Sequence, residues 1–155
     1  MRDKRFVAVH RGGELSEDHH RLLVRWAREC AGHVIPFIEG TVDSRVTQAL
    51  LIAEEWEMGR ATTGDAMKAS VDAHAAARAS SNPVTTAVAR SAGHAVATAH
   101  MADHSLGAAS HALKAVKNAG KSVDVEKAWQ NNRLPSEITD LVRTAKLEKE
   151  KSFRI

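Results

Sequence analysis

The chain has 155 residues, 43% hydrophobic and 26% charged, with 27 alanines, 20 of them between Ala61 and Ala119, and no tyrosine. One ordinary domain fits this length, and a β-sandwich or barrel is disfavoured because its strands need β-branched and aromatic side chains. The formal net charge is only +3, and the sequence pI of 9.2 reflects the missing tyrosines, since little but lysine titrates on the alkaline side.

That excess is terminal: Met1–Gly13 and Arg143–Ile155 each carry +3, and the body between them carries −3. Basic, mobile ends are therefore expected rather than a nucleic-acid stripe. The single Cys30 excludes an intrachain disulfide and a cysteine-cluster metal site. It falls on an apolar helical series, where a buried, inert thiol is expected. No apolar run reaches membrane-spanning length and no charged-then-apolar leader is visible, so the expectation is a cytoplasmic protein without a membrane partner.

Phe6–Val9 is a short extended candidate ended by Arg11-Gly12-Gly13. A lone strand makes no sheet, so residues 1–13 read as an arm. Ser16 is an N-cap followed by Glu17 and Asp18, and Leu22, Leu23, Trp26, Ala27, Cys30 and Val34 then recur at helical spacing until Pro36. A second helix starts near Asp43, with Val46, Ala49, Leu50 and Ala53 on one face and Ile52 and Trp56 on another, and ends at Gly59. Two apolar faces imply neighbours on two sides.

A third helix opens at Thr62 or Thr63 and runs to about Ser80, with Met67, Val71, His74 and Arg78 along one line. Asn82-Pro83 starts a fourth, holding Val84, Val88, Ala92, Ala95 and Ala99. Between Met101 and Ser105 the chain either breaks, with Asp103 as cap, or continues into a fifth helix with Leu106, Ala109, Leu113 and Val116. Ser122 or Asp124 opens a sixth with Val125, Ala128 and Trp129. Beyond Leu134-Pro135, Ile138, Leu141, Val142 and Ala145 mark a seventh.

The fold class is all-α: a compact bundle or short solenoid-like stack of six to seven helices with an alanine-rich centre. Residues 14–146 form its single domain, and 147–155 form a polar tail that frays.

Five of the nine histidines lie between His74 and His111. On a continuous helix His100 and His104 would share a face with His111, and Asp103 could add an oxygen ligand. Met101 stands where zinc proteases carry glutamate. The preferred reading is imidazoles hydrogen-bonding across tightly packed alanine helices, and a metal at His100 and His104 is the lesser alternative.

His74 and Arg78, and Arg90 and His94, are also spaced by four. An arginine within such helices needs a carboxylate, for which Asp43, Asp65, Asp72 and Asp103 are the supply, or a surface position. The preferred reading is buried ion pairs, and the alternative is a polar pocket for a small ligand or a partner side chain. Residues 39–57 hold Glu39, Asp43, Glu54, Glu55 and Glu57 against Arg45 alone, a solvated face or a patch that steers a basic partner. No nucleophile elbow or phosphate loop occurs, so no catalytic residue and no cofactor are assigned.

Arg11-Gly12-Gly13, His20-Arg21-Leu22-Leu23, Trp26-Ala27, Cys30-Ala31, Asp43-Ser44-Arg45, Trp56 with Gly59, and the runs Ala73–Arg78 and Ala89–Ala109 resemble a family of bacterial immunity proteins. That family is named for likeness to the fifth immunity-domain class of polymorphic toxin systems. Trp129 and Leu134–Ile138 resemble its usual ending, and His111 departs from it where an aromatic is common. The resemblance implies an all-helical protein that binds a cognate toxin and blocks it without chemistry. The alternatives are a ligand- or metal-binding protein or enzyme built on the histidine and arginine residues, and a homodimer joined through its apolar central helices.

Overall fold

A computed structural model describes residues 3–153, with side chains as far as Lys149; Met1 and Arg2 of the expected arm and Arg154 and Ile155 of the expected tail lie outside the described residues. Among those residues there are seven α-helices and no strand: α1 (Glu17–Val34), α2 (Ser44–Glu57), α3 (Thr63–Ala79), α4 (Pro83–Ala97), α5 (His104–Asn118), α6 (Val123–Asn132) and α7 (Ser136–Phe153). None is long and apolar enough to cross a membrane.

The helices begin where capping side chains stand. Ser16, Asp43 and Ser122 accept from the amides of His19, Arg45 and Val125, Thr62 and Asp65 cap each other reciprocally, and Asn82 serves the amides of Val84 and Thr85. Thr62 is therefore the cap of α3 and Thr63 its first helical residue, while Ser122 rather than Asp124 caps α6. α2 and α5 stop where Gly59 and Gly120 turn left-handed, at φ of 76° and 74°. Between α4 and α5 the chain breaks, turning through residues 98–103, and Asp103 precedes α5 without a side-chain capping bond.

α4 is the central helix, packed on α1, α2, α3 and α5, and α1 also lies along α5. That last contact closes a bundle; in a solenoid each helix would meet only its sequence neighbours. The apolar faces of the central helices, among them Val88, Ala92, Ala95 and Ala109, are buried within the one chain.

Alanine makes the close packing possible. Ser70 Oγ donates to Gly93 O at 2.9 Å and Ser91 Oγ to Ala108 O at 2.7 Å. A side chain that short reaches a neighbouring main chain only when the helix axes sit at the near end of packing distances. The same tightness excludes larger groups: α3 buries Ala66, Ala69, Ala73, Ala76 and Ala77, while the expected line of Met67 and Val71 faces solvent at 45% and 63% exposure.

α6 also departs from its apolar pattern. Val125 is exposed, and the helix buries Glu126 and Gln130 instead. Gln130 donates to Ala109 O at 3.0 Å, and its own carbonyl accepts from the fully buried Trp26 indole at 2.9 Å. Glu126 meets His33 Nδ1 at 2.6 Å. Glu126, the Gln130 side-chain amide N–H and the Gln130 main-chain carbonyl are met in this way, whereas Gln130 Oε1 is buried without a hydrogen-bond partner.

The arm is not an extended strand. It forms two short 3-10 turns, Lys4–Phe6 and Val9–Arg11, buries Phe6, and closes on itself through Val9 N to Leu15 O and Leu15 N to Val7 O. Arg5 reaches α7, donating to Thr144 Oγ1 at 2.7 Å and pairing with Glu148 at 3.2 Å. α7 continues helically through the stretch expected to fray, as far as Phe153. Over the described residues the two basic ends touch through Arg5.

Candidate functional site

Four histidines from three helices form one cluster: His74 on α3, His94 on α4, and His104 and His111 on α5. His94 is the hub, its ring centroid 5.1 Å from His74, 5.1 Å from His104 and 5.0 Å from His111. Glycine admits the rings. A Cβ on Gly93 would stand 2.7 Å from His74 Nε2, and one on Gly107 would stand 2.9 Å from His94 Nδ1. Each imidazole of α3 and α4 fills the space where the next helix lacks a side chain.

Hydrogen bonding sets the charge state. Arg90 donates to His74 Nδ1 at 2.8 Å; a guanidinium only donates, so that nitrogen is bare and the ring neutral. His94 Nδ1 and His104 Nδ1 lie 3.0 Å apart, one donating and the other accepting, which two fully protonated rings cannot do.

Burial, then the Arg90 charge, pushes His74 down to about 4; burial, then His111 and His104, pushes His94 to about 3. Burial, Lys114 and Arg90 lower His111. The Arg90–His74 and His94–His104 contacts each engage one imidazole lone pair and one N–H proton across neighbouring helices.

The remaining candidates lie elsewhere. Arg78 is exposed, and Arg90 leans on an imidazole rather than on the expected aspartates. Asp65 is engaged as a cap, and Asp43 both caps α2 and holds Arg45 at 2.8 Å. Glu54 and Glu55 approach Arg28 and Arg60, each at 3.9 Å, and Glu57 binds Arg25 at 2.7 Å and Arg28 at 3.1 Å. The acidic segment is thus faced by arginines from α1 and from the turn after α2.

His100 lies in the turn between α4 and α5, so the four-residue spacing to His104 gives no common helical face. It lines a pocket of about 470 Å³ with His10, His20 and Trp56, and its Nδ1 is buried without a hydrogen-bond partner. His20 donates from Nε2 to Thr98 O at 2.7 Å. Among the described residues no group of three or more His, Cys, Asp or Glu side chains is arranged to hold a metal ion.

Two features escaped the sequence reading. His33 stacks on Trp129 at 3.6 Å and meets Glu126, a contact spanning 93 positions that no local spacing signals. The glycines beneath the histidine rings did leave a trace, since a glycine inside a helix costs about 1 kcal/mol and calls for a packing reason.

A groove of about 510 Å³ runs between α5, α6 and α7. Leu106 is buried at its floor, Leu147 is 58% exposed, and Lys127, Arg143 and Lys149 stand exposed around it. Among the described residues none of these three cations is paired with a carboxylate.

No curated protein and no solved structure is found to match the chain. A family model matches residues 13–137, from the end of the arm to the first turn of α7, and so covers the histidine cluster and the alanine-rich centre. The chain belongs to the Imm-5 like putative immunity protein family.

Proposed function

We propose that this protein binds a toxin of its own system and blocks it by stoichiometric, non-catalytic contact, seating an acidic segment with apolar side chains in the groove between α5, α6 and α7. Family membership is the observation that carries the immunity reading. The groove supports the choice of face: an apolar floor offers an anchor site, and Lys127, Arg143 and Lys149, without a carboxylate partner among the described residues, favour an acidic partner.

Most of α7, which contributes Arg143, Leu147 and Lys149, lies beyond the matched residues 13–137. That suits a face that sets partner choice rather than the common fold. The carboxylates of α2 are a weaker alternative, because Arg25, Arg28 and Arg60 already face them.

The test is co-expression with the toxin domain encoded beside the gene, followed by co-purification through a tag on the toxin. The wild-type chain is expected to form an equimolar complex, and Leu147→Asp combined with Lys127→Glu to weaken it at least about tenfold. Absence of a wild-type complex overturns the immunity reading. A complex indifferent to both substitutions overturns the groove alone.

A further inference from the structure

We propose that the cleft beside the histidine cluster, between the start of α4 and the second half of α5, binds a tetrahedral oxyanion of the phosphate or sulfate class. The cleft measures about 400 Å³ and is lined by Ser81, Thr86, Arg90, His111, Lys114 and Asn118, with no carboxylate in its wall. Two of these groups are fixed cations. Among the described residues neither is paired with an acid, and Arg90 is held only by the lone pair of His74.

One of the five guanidinium N–H donors serves that lone pair, and a half-buried guanidinium gains most from an anion where its own fold supplies none. Neutral donors are also available. The Thr86 hydroxyl contacts Ala77 O and Ser80 O at 3.5 and 3.4 Å, and Asn118 Nδ2 contacts Pro83 O at 3.5 Å. Such long contacts are readily exchanged for a better acceptor.

The surroundings reinforce the charge preference. The ionisable groups acting on the cluster are His74 and Arg78 from α3, Arg90 and His94 from α4, and His104, His111 and Lys114 from α5; all are cationic or potentially so. A bound dianion would offset the Lys114 and Arg90 charges that now oppose protonation of His111, so anion binding and proton uptake are coupled and favour each other. This inference does not depend on the immunity reading.

Calorimetric titration of the full chain at constant ionic strength tests it, with inorganic sulfate, inorganic phosphate and glycerol phosphate as probes. Sulfate does not titrate in this range, so its saturable one-site binding is expected to be tighter at about pH 6 than at about pH 7.5. Arg90→Gln and the exposed Lys114→Gln are each expected to weaken it at least about tenfold, while Lys68→Gln, on the exposed face of α3, leaves it unchanged. Tighter binding of glycerol phosphate than of phosphate identifies a phosphorylated small molecule as the source of the group, and equal binding identifies the free ion. Heats that only track ionic strength, or saturable binding that survives both cleft substitutions, overturn the proposal.

Discussion

Gly93→Ala asks whether the histidine cluster is locked by missing side chains. In a solvent-facing helix the change would stabilise by about 1 kcal/mol through helix propensity. Here the new methyl carbon would stand 2.7 Å from His74 Nε2 and 2.9 Å from two neighbouring ring carbons. The least costly escape swings the ring outward, which gives up the 2.8 Å bond from Arg90 and the packing on His94.

A lost hydrogen bond of this kind costs about 1–1.5 kcal/mol, and overpacking about 1–3 kcal/mol. After the propensity gain, Gly93→Ala should destabilise by about 1–3 kcal/mol. Gly32→Ala is the control, because its methyl would meet only Leu50 Cδ1 at 3.9 Å; it should stabilise by about 0.5–1 kcal/mol. Urea unfolding of both variants measures the difference, and in a His74→Ala background, where the ring is gone, Gly93→Ala should no longer destabilise. Stabilisation by Gly93→Ala equal to that by Gly32→Ala would refute the lock.

Acid should loosen the bundle before its carboxylates matter. The folded-state values of about 4 for His74 and about 3 for His94 lie below the ordinary 6.5, so the unfolded chain binds more protons and stability falls as pH drops below about 6.5. Discounted for partial exposure and coupling, the loss between about pH 7 and pH 5 is on the order of 2–3 kcal/mol. Flat stability across that window in denaturant titrations would contradict the neutral cluster. Asp3, Asp43, Asp65 and Glu137, held below their usual values, contribute losses only at lower pH. Cys30 is fully buried and burial pushes its thiol strongly upward. Iodoacetamide should therefore label it only after unfolding, and rapid labelling of the native chain would show that α1 does not pack as described.

Much of the helix order was legible because caps and breakers are local. Ser16, Asp43, Asn82-Pro83 and Gly59 act on the few residues beside them, so their chemistry shows in the string itself. Orientation was less legible. Met67 and Val71 read as a structural line, yet the core side of α3 is its alanines, because tight helix contact admits methyl groups and expels longer side chains.

The site was half legible for the same reason. The clustering of His74, His94 and His104 showed in their density, but Arg90 found an imidazole, not an aspartate, and Glu126 found His33, through contacts that depend on the closed bundle. The turn that separates His100 from His104 was one of two readings of residues 101–105, between which helical periodicity alone does not decide. Charge alone also does not reveal that Arg5 reaches Thr144 and Glu148 across 139 and 143 positions.

The central claim, blockade by binding without chemistry, is tested most directly by titrating the purified toxin's activity with this protein. The account predicts a linear fall in activity to an equivalence point at equimolar protein, with the toxin's mass unchanged by mass spectrometry. Full protection at far below equimolar protein, or a covalently altered toxin, would contradict it.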